Sequence, residues 1–240
     1  MKTSASNKNR VIAVIALSAL TSMVGTQFAQ AATPTRYISV SSTGTVKVTP
    51  DAVRLNASVS AIAKVSKEAL TNANIAADKF RKAILANGID KKNLASTTLT
   101  VYPEYNYTQE AGNVLIGYRA SQSFEVIIRN AAKAGEIVDA VVASAGDALY
   151  INGVTPFVFD NTKATEAARI SAVKNSKAKA ASYAKLLGVK IGKIIYLQES
   201  SAPSPYPISM VQAKSDAGAT QIDLGQQDVS VSVSTKWAIS

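Results

Sequence analysis

Several segments of this 240-residue chain alternate apolar and polar residues one by one. A period of two fits a strand with one face buried and the other wet, because successive side chains of an extended chain point to opposite sides. Val229, Val231, Val233 and Trp237 alternate with Ser, Thr and Lys. So do Ile38, Val40, Val46 and Val48, where Gly44 marks a bulge. The pattern resumes at Val53, Leu55, Ala57, Val59 and Ala61, and Pro50-Asp51 between the two predicts a turn and hence a hairpin. Residues 94–107 and 115–128 predict a second, longer hairpin that turns at 109–113. Residues 150–159 and 193–197 complete the strands.

Between strands the period changes to 3.6. Over 66–87, Ala69, Ala73, Ala76, Phe80, Ala83 and Ile84 return every three or four residues, the mark of a helix with one buried stripe. Ser66 is placed to cap it and Glu68 to meet its dipole, and Asn87-Gly88 ends it in a left-handed turn. A second helix over 131–144 starts at Asn130, buries Ile137, Val138, Val141 and Val142, and stops at Gly146. The longest, 162–187, is capped by Asp160 or Thr162 and stopped by Gly188. Its expected buried stripe is Ile170, Val173, Ala180, Ala184 and Leu187. Strand–helix–strand thus occurs twice, at 53–107 and 115–159. The sum is an α+β fold: a mixed, largely antiparallel sheet with helices packed on one side, two strand-helix-strand units plus a long Lys/Ala-rich helix.

The first residues follow another logic. Lys2, Lys8 and Arg10 precede an apolar run over 11–24, and Ala29-Gln30-Ala31 is a small-x-small site, so 1–31 reads as a secretory signal peptide and 32–240 as the mature domain. The apolar run is shorter than the roughly 20 residues that span a bilayer. The expected location is the periplasm, or the outside of the cell or its wall in a host with one membrane. No membrane span is expected after processing. Removing 1–31 takes away three basic residues and no acid, so 26 Lys+Arg become 23 against 16 Asp+Glu, a net charge of +7. Residues 199–227, rich in Ser, Pro, Gln and Gly, read as a long polar loop, too broken for a core element.

The chain has no Cys and no His. Ser-His-Asp and Cys-His catalysis, Cys/His zinc sites, haem ligated by those residues and iron–sulfur clusters therefore cannot be built from it. No cofactor and no enzymatic activity is expected. Ser171-x-x-Lys174, Ser176-x-x-Lys179 and Ser182-x-x-Lys185 match a penicillin-binding nucleophile motif, but its companion motifs are missing and one Lys/Ser/Ala-rich helix repeats the match by composition. Glu136 and Asp139 share a helix face and read as a surface pair.

Two surfaces remain as candidates. Lys163, Arg169, Lys174, Lys177, Lys179 and Lys185 line the long helix and could hold an anionic envelope polymer or lipid head groups, although lysines also keep an Ala-rich helix soluble. Nucleic acid is not an expected partner of an exported chain without a recognisable binding motif. Tyr102, Tyr105, Tyr107 and Tyr118 gather on the central hairpin, where tyrosine's apolar body and polar tip suit a subunit interface or a ligand platform.

Several segments in order carry a family resemblance. They are Ser42-Thr43-Gly44-Thr45-Val46 with Pro50-Asp51, then Gly88-Ile89 leading to Tyr105-Asn106-Tyr107, then Gly117-Tyr118-Arg119-Ala120-Ser121. Ile151-Asn152-Gly153-Val154 and Leu187-Gly188-Val189-Lys190-Ile191-Gly192-Lys193 follow. The chain resembles the SIMPL-domain family over about 37–240, with Ser42 where that family often has glycine. The resemblance implies an exported α+β protein, assembly into ring-like homo-oligomers and an association with oxidative-stress defence, and it implies no catalytic residues. The function expected is a self-assembling structural or interaction module of the cell envelope; the alternative is a binding protein for an envelope polyanion or small ligand.

Overall fold

Ala120, Gln122, Phe124, Val126 and Ile128 are buried while their neighbours in sequence are half-exposed, so the 115–128 segment runs as a strand with one covered face. A computed structural model describes residues 36–200 and 220–240. The signal-peptide segment and residues 201–219 of the polar loop lie outside them. The α+β class is as expected, with the strands shared between two sheets, each antiparallel throughout.

The larger sheet has the order β3(Leu94–Thr108)-β4(Gly112–Ile128)-β2(Ala52–Ala63)-β5(Leu149–Phe157). Its two strand-helix-strand units put α1(Ser66–Ala86) and α2(Ala134–Ala145) over one face. Alanines at 69, 73, 76 and 77 let α1 lie close, and Phe80 fills the space beneath it, stacked on Phe124 with ring centroids 4.7 Å apart. Fully burying such a side chain is worth roughly 2–3 kcal/mol. Gly88 ends α1 at φ 78°, in the left-handed region as expected. The side-chain N-caps expected of Ser66 and Asn130 are not formed. Val65 holds the N-cap position of α1, and Asn130 leads into a 3-10 turn, Ala131–Lys133, before α2 begins.

The smaller sheet has the order β1(Tyr37–Val48)-β7(Gln227–Ile239)-β6(Ile191–Ser200), so the expected β1–β2 hairpin does not form. Pro50 is buried, and Asp51 holds both sides of a crossover: its carboxylate accepts from the Phe159 N–H at 2.8 Å and its carbonyl from the Ala131 N–H at 3.2 Å. The chain therefore passes from one sheet into the other instead of folding back. The partner of β1 is the equally regular β7, in register from Tyr37↔Ala238 to Val48↔Gln227, without the bulge expected at Gly44. Hydroxyl pairs Ser41–Ser234, Thr43–Ser232 and Thr45–Ser230, at 2.9–3.0 Å, run down the face away from the helix.

The long helix α3(Thr162–Leu186) covers the other face, but not with the expected stripe. Ile170 and Leu187 are 63% and 64% exposed, and the buried residues are Ala168, Ala172, Ser176, Ala180 and Ala184. Small size decides this, not hydropathy. The helix backbone touches β1, and a Cβ on Gly44 would sit 2.1 Å from the Ala168 carbonyl oxygen. Beneath it Ser176 and Thr235 share a 2.6 Å hydrogen bond, and the Trp237 indole N–H donates to Thr235. Asp160 accepts from the Thr162 N–H at 2.9 Å, but Asn161, and neither Asp160 nor Thr162, holds the N-cap position.

The polar loop is shorter than expected. Glu199 and Ser200 belong to β6, Gln227 begins β7, and Ile222 and Leu224 pack against the larger core. Bounds read from polarity alone missed two apolar residues that alternate across a short strap.

Candidate self-assembly surface

β2 ends its pairing with β4 at Ala63↔Tyr118, while β3 and β4 continue together as far as Thr108↔Gly112. Beyond Tyr118 the sheet is thus two strands wide, a ribbon of residues 104–117. Among the described residues, its apolar side chains stay exposed on both faces. Tyr105 and Tyr107 are 56% and 72% exposed on one face, with Leu115 paired across from Tyr105, and Val114 and Ile116 are exposed on the other. A two-stranded hairpin alone is marginal in water, and an exposed apolar one more so. The turn is closed by the Ala111 N–H donating to Thr108 Oγ1 at 3.1 Å and by Gly112 at φ 68°.

The root of the ribbon is pinned. Arg119 donates through Nε and Nη2 to both oxygens of Glu104, at 2.9 and 3.0 Å, and through Nη1 to Ser60 Oγ at 3.2 Å. These hydrogen bonds hold the Glu104 carboxyl below the usual glutamate range, and the guanidinium's charge acts the same way. A depressed carboxyl contributes stability that is present above its unfolded pKa and lost as pH falls through its folded one. Glu104→Gln is therefore expected to lower Tm at neutral pH, with the gap to the wild type narrowing once pH drops below the ordinary glutamate range. A gap unchanged down to the acid limit would show that the ion pair does not hold the root.

The four tyrosines do not form one cluster. Tyr105 and Tyr107 share the ribbon face, as the period of two requires, and Tyr102 stands opposite Arg119 at the root. Tyr118 is half-buried against Ala69, Ala73 and Ala120 under α1.

The basic helix divides likewise. Arg169 is clamped by Glu199, at 2.7 and 3.1 Å, and by Glu166. Lys179 turns to the sheet and donates to the Ser41 carbonyl at 3.1 Å. Lys163, Lys174, Lys177 and Lys185 form no ion pair among the described residues, and at 100° per residue they fall within about 80° of one another. Of the three Ser-x-x-Lys matches, the middle one is split between other partners: Ser176 is buried on Thr235, and Lys179 reaches β1. Nor are Glu136 and Asp139 a bare surface pair. Asp139 accepts from the Thr220 N–H and hydroxyl, which hold its carboxyl below the usual range, and so fastens the 220–226 strap to α2. A shallow, open depression of about 600 Å³ beside β1 is lined by Ser41, Thr43, Asn175, Lys179 and Ser232, whose polar groups already bond one another or the backbone. Among the described residues no three carboxylates converge as a metal site, and no helix is long and apolar enough to cross a membrane.

One surface escaped sequence reasoning. β6 is an outer strand, and Ile194, Ile195, Tyr196 and Leu197 are each more than two-fifths exposed. The available signal was their lack of alternation: four apolar residues in a row must show two on each face.

The model of a family described as SIMPL, protein of unknown function (DUF541), matches residues 38–237. The 26 kDa periplasmic immunogenic protein of Brucella melitensis is 32% identical over 223 residues, covering 88% of this chain and 87% of its relative. The uncharacterized protein YggE of Edwardsiella ictaluri is 27% identical over 78% of this chain and 77% of its own length. YggE of Escherichia coli is also 27% identical, over 82% and 80%.

Proposed function

Because the chain belongs to the SIMPL family, we propose that it is an exported, non-enzymatic protein of the periplasm that works as a self-assembling module. The 104–117 ribbon is the contact by which copies join. The observation that carries this reading is the exposure of apolar residues on both faces of a two-stranded arm. A second copy laid against the arm removes that surface from water at roughly 25 cal/mol per Å² before the costs of association. The periplasmic location draws on the name of the Brucella relative and on the signal-like first 31 residues. The non-enzymatic reading draws on the residue inventory, without Cys or His. A part in oxidative-stress defence enters only through the assembly, since the chain has no thiol with which to reduce an oxidant.

Light scattering after size exclusion, over a dilution series of the processed protein, tests the reading. It expects a mass several times that of one chain. A monomer at every concentration sinks it. A second reading, retention of an anionic envelope polymer or lipid head groups, is favoured by the stripe of Lys163, Lys174, Lys177 and Lys185. It expects salt-sensitive binding to acidic polymer, and no binding at low ionic strength removes it.

A further inference from the structure

We infer that the surface receiving the ribbon is the outer edge of β6 on a second copy, so that copies join head to tail. The inference rests on the self-assembly reading and adds where the arm goes.

Two sheets give four outer strands, and their edges are not equivalent. β1 is blunted, because its Ser41 and Thr43 carbonyls accept from Lys179 Nζ at 3.1 Å and Asn175 Nδ2 at 3.0 Å. β5 is blunted too, since it carries Pro156, which has no N–H, and the Pro156 carbonyl accepts from Gln227 Nε2 at 2.7 Å. Beyond Tyr118 the side of β4 that β2 leaves free is capped by Lys64 Nζ, which donates to the Ile116 carbonyl at 3.3 Å, and two edges remain without such caps among the described residues. One is β3, where Pro103 leaves the ribbon from Glu104 outward as the pairable stretch. The other is β6, whose residues Tyr196–Ser200 pair with β7 without a register shift and are about as long as that stretch. An uncapped apolar edge calls for a cover. α3 lies over β1 and β7 and only grazes β6, so both faces of Ile194–Leu197 stay exposed.

Charge favours the same match. Residues 101–117 contain Glu104 and Glu110 and no Lys or Arg, whereas 185–200 contain Lys185, Lys190 and Lys193 and one acid, Glu199, which Arg169 neutralises. Arg119 already neutralises Glu104, so Glu110 at the tip carries the free charge. Opposite signs steer the arm toward β6 and oppose arm against arm. The two edges differ in sequence, so the contact is heterologous: each copy offers an arm to one neighbour and a β6 edge to the other, and the chain of contacts closes as a ring or runs on as a filament.

The absence of native Cys makes a clean test possible. Tyr107→Cys and Leu197→Cys are both at exposed positions. With a short bismaleimide, a mixture of the two single variants is expected to give a cross-linked dimer, and the double variant a ladder of multimers. Each single variant alone is expected to give none. Cross-linking of Tyr107→Cys with itself, or of Leu197→Cys with itself, overturns the inference, because it places like edges together. So does an oligomeric mixture that does not cross-link with this pair or with Asn113→Cys and Gln198→Cys. Light scattering on the unsubstituted protein and on the same mixture separates the failures: an oligomeric mixture without cross-links rejects only the β6 assignment, whereas an unsubstituted protein that is monomeric at every concentration rejects self-assembly and this inference with it.

Discussion

Gly44→Ala is expected to destabilise the protein by about 3 kcal/mol, a fall of roughly 6–12 °C in Tm for a chain of this size. The added Cβ would lie 2.1 Å from the Ala168 carbonyl oxygen, 2.3 Å from the Ala172 amide nitrogen and 2.8 Å from Ser171 Cβ. Two of these are backbone atoms of a helix and cannot swing aside, so α3 has to lift from the sheet. Lifting it pulls Asn175 and Lys179 from the β1 carbonyls and Ser176 from Thr235, which adds unpaired polar groups to the lost packing. Gly153→Ala is the control. A Cβ there meets nothing within 4 Å, and the change is expected to stay within about 0.5 kcal/mol. Equal midpoints for the two variants, read by thermal unfolding, would mean that α3 does not rest on β1 as closely as described.

Tyr105→Ser, Tyr107→Ser and Leu115→Ser together are expected to abolish assembly while leaving the monomer folded. The three side chains lie on one face of the ribbon and are among its most exposed. Truncating a buried interface anchor commonly costs 1 kcal/mol or more, so three per contact weaken association by roughly a hundredfold or more. None of the three contributes to a buried core cluster, so Tm of the variant at a concentration where both proteins are monomeric should match the wild type. Tyr118→Ser should do the opposite. Its ring packs on Ala69, Ala73 and Ala120, so the expected loss is in stability. Loss of a ligand with the oligomer intact would instead make the tyrosine face a binding platform.

Much of this was legible in the chain itself. Strands with strict alternation, such as β7, and helices with one apolar stripe, such as α1, were placed to within a few residues, because burial of one face imposes one period. Two failures share a cause. The α3 stripe was read from hydropathy, yet the site selects for volume: Ala and Ser at every fourth position fit under β1 where Ile170 does not. The β1–β2 hairpin was read from a Pro-Asp turn, yet Asp51 is used by Phe159, more than a hundred residues on. No local pattern contains that partner. The ribbon was legible as a tyrosine-rich hairpin, but its exposure follows from β2 being shorter than β3 and β4, a comparison of strand lengths after pairing. The basic helix lost two of its six residues to partners in space, Arg169 to Glu199 and Lys179 to Ser41.

Amide hydrogen exchange across residues 104–117 addresses the ribbon most directly. If a second copy covers it, the amides of Tyr105, Tyr107 and Leu115 are protected at high protein concentration and become fast on dilution or in the triple serine variant, while Phe124 and Val126 in the core stay protected throughout. Fast exchange of the ribbon at every concentration, alongside an intact core, would contradict assembly through this arm.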